Sequence, residues 1–162
     1  MRHDLDLSRC RWGARFAAAL ILVALGATAS LAAEPWSASQ VIQPATLAKE
    51  IRGANGKNLK ILQVGFRTLY EQGHVPGALY CGPASHAAGR ARLKACVAKI
   101  PKTADIVLYC GCCPWQECPN IRPAFQELRS MGYTHVSVME IRQNFGRDWR
   151  AKGYPIHSGS HP

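Results

Sequence analysis

The run Ile106–Tyr109 consists of four successive apolar residues and ends at Cys110. A continuous apolar run of this length is typical of a strand buried on both faces, as in a parallel sheet covered by helices. A helical pattern follows it at 120–132, where apolar residues recur at helical spacing. Strand and helix patterns alternate four or more times along the chain. This alternation predicts an α/β domain with a mainly parallel sheet and helices on both faces.

Residues that start or stop helices mark the ends of the predicted elements. Pro44 and Gly53 flank the first helical pattern, and Asn120 is suited to cap the N-terminus of the helix that follows Cys110. Pro123 then occupies the third helical position, where the backbone amide has no intrahelical partner to lose. The predicted strands span 59–65, 77–81, 104–110 and 135–140, and the predicted helices span 44–53, 68–73, 85–100, 120–132 and 144–153.

The N-terminus has the pattern of a secretory signal. Arg9, Arg11 and Arg15 precede the apolar run 16–25, and small residues follow up to Ala33. The apolar run is shorter than the about 20 residues that a membrane span needs, so a cleaved signal at 1–33 is predicted. The alternative is an uncleaved N-terminal anchor. Cleavage predicts an exported protein without a membrane segment, and the expected location is the bacterial periplasm.

The predicted mature chain divides into three parts: a loose N-terminal segment at 34–44, a folded domain at 45–156 and a C-terminal tail at 157–162. The whole chain has a formal net charge of +10, which favours the binding of anions. It contains no block of lysine and arginine with interleaved aromatic residues, so nucleic acid is not an expected partner. The oligomeric state does not follow from these patterns.

The cysteines are crowded on one segment, "YCGCCPWQECPN". Cys110, Cys112, Cys113 and Cys118 lie there, and Cys81 ends the predicted strand 77–81. An oxidising compartment permits disulfides, but crowding favours reactive or metal-ligating roles over the role of a scaffold. Cys81 is expected to emerge at the same sheet edge as Cys110. Cys96 lies on the apolar face of a predicted helix and is expected to be a small buried residue.

Cys110 lies between a buried strand and the start of a helix. Unpaired backbone N–H groups and the positive end of the helix dipole are expected to face its thiol. Both favour the thiolate and lower the pKa of the cysteine, and the same N–H groups can bind an anion. The position predicts a nucleophilic thiolate at the carboxyl end of the sheet, where ligands bind in open α/β folds.

Four motifs follow one another along residues 41–155. The first is "ILQVGFRTLYEQGHVPGALY", which contains a Gly-His-Val-Pro-Gly-Ala turn, and the second is "DIVLYC". The third is "AFQELRSMGYTHVSVME", and the chain closes with Trp149 and then Gly153, Tyr154 and Pro155. In this order and spacing the motifs resemble the rhodanese family of sulfurtransferases, whose three-layer fold has a mainly parallel sheet flanked by helices.

The resemblance implies a mechanism. A cysteine thiolate takes a sulfane sulfur from a small anionic donor such as thiosulfate, and a thiol or cyanide removes the sulfur from the resulting persulfide. By position Cys110 would be that cysteine, and no metal or organic cofactor is implied. The histidine of the first motif, His74, is expected to order its turn.

The chain departs from the family in two places. The family usually has Asp-Val-Arg after the first long strand, whereas this chain has Gln63-Val64-Gly65. Common members also have an arginine five residues after the cysteine, where this chain has Trp115, and the loop is longer than usual. Gly111, Trp115 and Arg122 are the candidates for binding the donor. Trp115 is expected either to cover the pocket or to pack the loop down, and Arg122 either to bind the donor's oxygens or to face solvent.

Three functions remain open for the cysteine-rich loop. In sulfur transfer, Cys112, Cys113, Cys118 or Cys81 would accept the sulfur from Cys110 or close a protective disulfide with it. In a thiol-disulfide oxidoreductase, Cys110 and Cys113 would form the redox pair. In a metal-binding module, the four cysteines of the loop would bind zinc, copper(I) or an iron–sulfur cluster.

Overall fold

The structure is a computed structural model that describes residues 34–53 and 59–160. The predicted signal at 1–33 lies outside the described residues. The described residues form five strands in one parallel sheet, in the order β1-β5-β4-β2-β3. The strands are β1 Val41–Ile42, β2 Lys60–Gln63, β3 Leu79–Tyr80, β4 Ile106–Tyr109 and β5 Val136–Met139. The helices are α1 Pro44–Glu50, α2 Arg67–Gln72, α3 Ala87–Val97, α4 Ile121–Ser130 and α5 Phe145–Asp148.

The sheet separates two apolar cores, which confirms the predicted three-layer α/β architecture. Successive side chains of β4 point to opposite faces: Ile106 and Leu108 belong to one core, and Val107 and Tyr109 to the other. The first core is closed by α3 and α4, which contribute Leu93, Val97, Ile121, Phe125 and Leu128. The second is closed by α1, α2 and α5, which contribute Leu47, Tyr70 and Phe145. All four residues of β4 are buried, as the apolar run predicts.

The N-terminal segment 34–44 is ordered, so the prediction of a loose segment is wrong. Val41 and Ile42 add an edge strand to the sheet by pairing with β5. Trp36 is 7% exposed, and its ring lies 5.5 Å from that of Trp115 and 5.4 Å from that of Phe125. A strand of two residues has too few positions to show a period, which is why the pattern did not reveal it.

The closing segment, residues 144–157, contains a short α-helix and a 3-10 turn instead of the single helix predicted at 144–153. Helix α5 ends at Asp148, and a 3-10 turn at Arg150–Lys152 leads to Gly153, whose φ of 69° is left-handed. The predicted tail begins in an antiparallel bridge, in which His157 exchanges two backbone hydrogen bonds with His74. Within residues 34–53 and 59–160, no helix has the length and apolar character that crossing a membrane requires.

Candidate active site

Cys110 lies directly after β4, at the carboxyl end of the sheet. Its backbone is fixed by the neighbouring strand, because Gln63 Nε2 donates a hydrogen bond of 3.0 Å to the Cys110 carbonyl. The side chain is 3% exposed. The next residue, Gly111, has a φ of 88°, a conformation that favours glycine and turns the chain away from the sheet. The strand end therefore presents one thiol at a defined point.

The loop after Cys110 brings three of its cysteines into a compact group. The Sγ atoms of Cys110, Cys112 and Cys118 all lie within 4.8 Å of one another. The Sγ atoms of Cys110 and Cys112 are 3.2 Å apart, and the same distance separates Cys112 from Cys113. The closest contact of Cys110 is therefore to Cys112, and not to Cys113 as the predicted redox pair requires. We call Cys110, Cys112 and Cys118 the thiol cluster.

Asn120 orders the thiol cluster instead of capping α4. It stands at the N-cap position, but its side chain makes no cap hydrogen bond. Its Nδ2 donates to Cys110 Sγ at 3.5 Å, and its Oδ1 accepts from the Ser85 backbone N–H at 3.0 Å. Asn120 is 1% exposed, so both hydrogen bonds lie in the interior. The sequence pattern located this residue correctly but predicted a different role for it.

The start of α4 stabilises the thiolate of Cys118, whereas the sequence predicted this for Cys110. A hydrogen bond from Cys110 and then the backbone N–H groups of Asn120 and Ile121 lower the pKa of Cys118 to about 7. The loop is long enough to separate Cys110 from the helix terminus and to put Cys118 there. Helix N–H groups favour a thiolate at this point by direct donation and through the helix dipole.

The pKa values of the other free thiols are shifted in different directions by hydrogen bonds and burial. Hydrogen bonding from Cys110, followed by that from Cys113, lowers the pKa of Cys112 to about 6. Donation to Cys112 and Cys118, together with burial, raises the pKa of Cys110 well above its usual range. Burial is also the first cause that raises the pKa of Cys113. Cys110 therefore holds its proton most tightly, and Cys112, with the lowest of these pKa values, carries negative charge at neutral pH.

A cavity of about 690 Å³ opens above the thiol cluster. Cys110, Gly111 and Cys112 line it together with side chains from α2, α5 and the strand ends. Its described lining residues include one cation, Arg150, and no carboxylate; the full set is Gln63, Leu69, Gln72, Gly73, Tyr109, Cys110, Gly111, Cys112, Asn144, Phe145, Gly146 and Arg150. The guanidinium of Arg150 can bind a small anion there.

Arg150 is a site residue that the sequence patterns did not reveal. Its guanidinium is held by a 2.8 Å hydrogen bond from Nη2 to the Gln72 carbonyl. Gly73 permits this position, because a Cβ added there would lie 2.3 Å from Arg150 Nη2. No motif marks such an arginine, since it reaches the cavity only through the packing of the closing segment against α2.

The profile of the rhodanese-like domain family matches residues 44–140, which is more than half of the chain. The chain belongs to the rhodanese-like domain family. The family includes sulfurtransferases, and the match confirms the resemblance that the four motifs indicate. The sequence has no significant match among curated proteins.

Several solved structures resemble the chain in fold. A rhodanese-like domain from Anabaena is 23% identical, with a TM-score of 0.54, over 75% of this chain and 80% of that one. A Bacillus halodurans protein is 17% identical, with a TM-score of 0.56, over 75% and 79% of the two chains. A thiosulfate sulfurtransferase from Pseudomonas aeruginosa is 22% identical, with a TM-score of 0.55, over 79% of this chain and 21% of that enzyme.

One departure of this rhodanese-like domain from its family has a steric reason. Gly65 stands where the family usually has arginine, and it lies against the cysteine. A Cβ added to Gly65 would be 2.8 Å from both the carbonyl oxygen and the Sγ of Cys110. Real Cβ atoms essentially never come so close, so the position excludes a side chain while Cys110 stays in place.

Cys81 is not a thiol of this site, which corrects the prediction. It forms a disulfide with Cys96, which joins the end of β3 to α3. Cys96 is therefore not the free buried residue that its helical position suggested. Both residues contact the core on the α3 side of the sheet. The strand end does reach the expected edge, but the side chain of Cys81 is directed to α3 and is fully buried.

Trp115 and Arg122 are absent from the described lining of the cavity. The Trp115 ring stacks on Trp36, and its backbone N–H donates to the Ile141 carbonyl at 2.8 Å, so it packs the loop against the domain. Arg122 forms an ion pair of 2.9 Å with Glu34 and lies 5.8 Å from the Trp36 ring. Of the three predicted donor-binding residues, Gly111 lines the cavity.

Proposed function

We propose that the protein is an exported sulfurtransferase that moves a sulfane sulfur through a persulfide on Cys110. The observation that supports this best is the position of Cys110 in a rhodanese-like domain. It lies at the carboxyl end of β4 and lines an anion-compatible cavity, with the Cys112 sulfur 3.2 Å away. A small anionic donor such as thiosulfate fits a cavity with one arginine and no described carboxylate in its lining.

The first step forms the persulfide. The proton of Cys110 passes to the thiolate of Cys112, which is in direct contact with it, and this leaves a thiolate on Cys110. That thiolate attacks the outer sulfur of thiosulfate. A sulfur–sulfur bond to Cys110 forms, the sulfur–sulfur bond of thiosulfate breaks, and sulfite leaves with the bonding electron pair. The charge belongs to the coupled thiols as a group, so the transfer needs no further base.

The second step returns Cys110 to its starting state. A thiolate or cyanide attacks the outer sulfur of the persulfide, and the Cys110 sulfur leaves with the electron pair. Cys112 is the nearest thiol, and the proton that it took in the first step passes to the outer sulfur of the persulfide, which leaves Cys112 a thiolate again. Its attack moves the outer sulfur to a half-buried position, and the Cys110 thiolate that leaves takes the proton back. A thiol acceptor in solution can reach the outer sulfur in that position. This assigns Cys112 the helper role that the sequence left open among several thiols.

Export is part of the proposal. It is supported by the basic start and the short apolar run of the sequence, which match a secretory signal. The disulfide between Cys81 and Cys96 agrees with an oxidising compartment, where such bonds persist. The thiol cluster would have to be kept reduced or sulfurated there by its donor.

Intact-mass measurement of the reduced chain from residue 34 onward tests the proposal. Incubation with thiosulfate should add one sulfur atom, cyanide should remove it as thiocyanate, and Cys110→Ser should abolish both. Cys113→Ser is the matched control, because Cys113 lies outside the thiol cluster, and it should retain transfer. If Cys110→Ser still gains sulfur, another cysteine is the nucleophile. A loss of two protons without sulfur gain, reversed by reductant, would instead identify a thiol-disulfide oxidoreductase.

A further inference from the structure

The thiol cluster has a composition that sulfur transfer through one cysteine does not require. Three sulfur atoms, those of Cys110, Cys112 and Cys118, lie within 4.8 Å of one another, and the group contains no histidine or carboxylate. Cys110 and Cys118 are buried, and Cys112 is half-buried. Sulfur transfer with one helper uses two of these thiols and leaves Cys118 without a role.

The spacing of the three sulfurs matches a three-coordinate metal ion. A thiolate sulfur lies about 2.3 Å from a bound first-row metal such as zinc, so three sulfurs around an ion in their plane stand about 4 Å apart. The Cys110 and Cys112 sulfurs are 3.2 Å apart and no pair in the cluster exceeds 4.8 Å, so the observed spacing brackets that value. Small side-chain rotations would bring all three sulfurs to one ion.

The ligand type selects the class of metal. Thiolates are soft ligands that favour copper(I), zinc and iron–sulfur clusters over harder ions. Zinc in structural sites is almost always bound by four ligands in a tetrahedron, and the compact group supplies three. Copper(I) accepts three thiolates, so an all-sulfur set of three favours it.

The surroundings suit a site with an excess of negative charge. Asn120 Nδ2 donates to the Cys110 sulfur at 3.5 Å, and the backbone N–H groups of Asn120 and Ile121 donate to Cys118. Hydrogen bonds of this kind orient metal-binding thiolates and stabilise their charge. Cys113 lies 3.2 Å from Cys112 and outside the compact group, so the group of three does not include it.

We propose that Cys110, Cys112 and Cys118 bind one copper(I) ion in a three-sulfur site. Binding displaces the remaining thiol protons to solvent and changes no oxidation state. The proposal is independent of sulfur transfer, because it rests on the geometry of three thiols and not on the reaction of one. Both uses share Cys110, so a bound ion is expected to block persulfide formation.

Anaerobic titration with copper(I) tests the site directly. The reduced chain from residue 34 onward, with its free thiols counted by alkylation and mass, is mixed with copper(I) and a chromophoric copper(I) chelator as competitor. One ion per chain should be retained, and X-ray absorption should show three sulfur neighbours. Cys118→Ser and Cys112→Ser should each weaken copper(I) binding by more than the about 10- to 100-fold that loss of an outer-shell contact costs.

The matched control is Cys113→Ser, which removes a neighbouring thiol outside the cluster and should retain one ion with three sulfurs. Cys118 is buried, so circular dichroism of Cys118→Ser checks its fold, and the half-buried Cys112 gives a second test. Retention of copper by Cys118→Ser and its loss by Cys113→Ser would overturn the assignment. So would a fully reduced protein that gives up its copper to the chelator, or one that binds zinc through four sulfurs instead.

Discussion

The described residues contain two groups of cysteines that contact the same core and are used in opposite ways. Cys81 and Cys96 form a disulfide between β3 and α3. The thiol cluster, with Cys113 beside it, remains reduced on the loop before α4. All of these cysteines contact the core on the α3 and α4 side of the sheet. The type of residue and its apolar surroundings therefore do not decide between a structural bond and a reactive group.

The difference lies in what holds each group. The Cys81 backbone N–H is bonded to the Gln63 carbonyl at 2.9 Å, and Cys96 lies inside the last turns of α3, so two regular elements fix that pair. The thiol cluster is held by the left-handed Gly111 and by the side chain of Asn120, and two of its thiols, Cys110 and Cys112, line a cavity. A fixed pair without access to the cavity can only stabilise the fold, whereas an accessible group on a loop can react.

Removing the disulfide should produce the largest change in stability. Cys81→Ala combined with Cys96→Ala opens a link across a sequence separation of 15, and a loop of that length is worth about 3 kcal/mol of unfolding free energy. Denaturant unfolding of the chain from residue 34 onward measures the loss. The rate of sulfur transfer by the folded protein should stay within about twofold, because neither residue lines the cavity.

Cys112→Ser is the corresponding change in the thiol cluster. It should change the unfolding free energy by less than about 1 kcal/mol, since the side chain is half-buried and makes no covalent bond. If the protein with both Cys81→Ala and Cys96→Ala folds but transfers no sulfur, then Cys81 or Cys96 takes part in the reaction. The separation of the two groups would then be wrong.

A variant at Gly65 tests whether the position of Cys110 matters for stability and for sulfur transfer. Gly65→Ala places a Cβ 2.8 Å from the Cys110 Sγ and carbonyl oxygen, so the cysteine must move. Overpacking of this kind costs about 1–3 kcal/mol, and displacement of the thiol should also reduce sulfur transfer. Gly53→Ala is the matched control, because a Cβ there meets its nearest atom at 3.5 Å. Equal stability and equal transfer in the two variants would show that Gly65 has no such role.

The fold was predictable from the sequence because its signals are local. The apolar run of β4 and the apolar face of α4 each identify one element, and the alternation of elements leads to a parallel sheet. The disulfide was not predictable in this way. Cys81 and Cys96 are separated by 15 positions, and they meet only because α3 packs against the end of β3. Strand β1 was not predicted, because a strand of two residues shows no hydrophobic period.

Only part of the candidate site was predictable from the sequence. The position of Cys110 follows from the strand that precedes it, so its place at the sheet edge was foreseen. The charge distribution was not, because it depends on which thiol reaches the start of α4, and the long loop puts Cys118 there. The roles of Asn120 and Arg150 depend on contacts between segments that are distant in sequence, and no local pattern reports them.

Arg150→Gln tests whether the cation in the cavity lining binds the sulfur donor. If sulfur transfer is the function, loss of the cation should raise KM for thiosulfate by about tenfold, the lower end of the range for hydrogen bonds to charged groups. The kcat should change little, since Arg150 does not contact the reacting thiols. Arg147→Gln removes the same charge from α5 outside the cavity lining and should leave KM unchanged. Equal effects of the two variants would indicate only long-range electrostatic attraction.

The smallest expected effect is a shift in the pH dependence of alkylation. Hydrogen bonding from Cys110 lowers the pKa of Cys112 to about 6, so in the metal-free protein Cys112 is a thiolate at pH 7. Its rate of reaction with iodoacetamide should therefore reach half of its maximum near pH 6, whereas an ordinary cysteine does so near its pKa of about 8.5. Peptide mapping by mass spectrometry identifies the labelled residue at each pH.

Cys110→Ala should move that midpoint upward, because it removes the first cause of the lowered pKa. Cys81 and Cys96 provide an internal control, since a disulfide is not alkylated at any pH in the series. Faster labelling of Cys110 than of Cys112 at pH 7 would reverse the assignment of the proton within the cluster. The nucleophile would then be a thiolate before the donor arrives, and Cys112 would have no proton to accept.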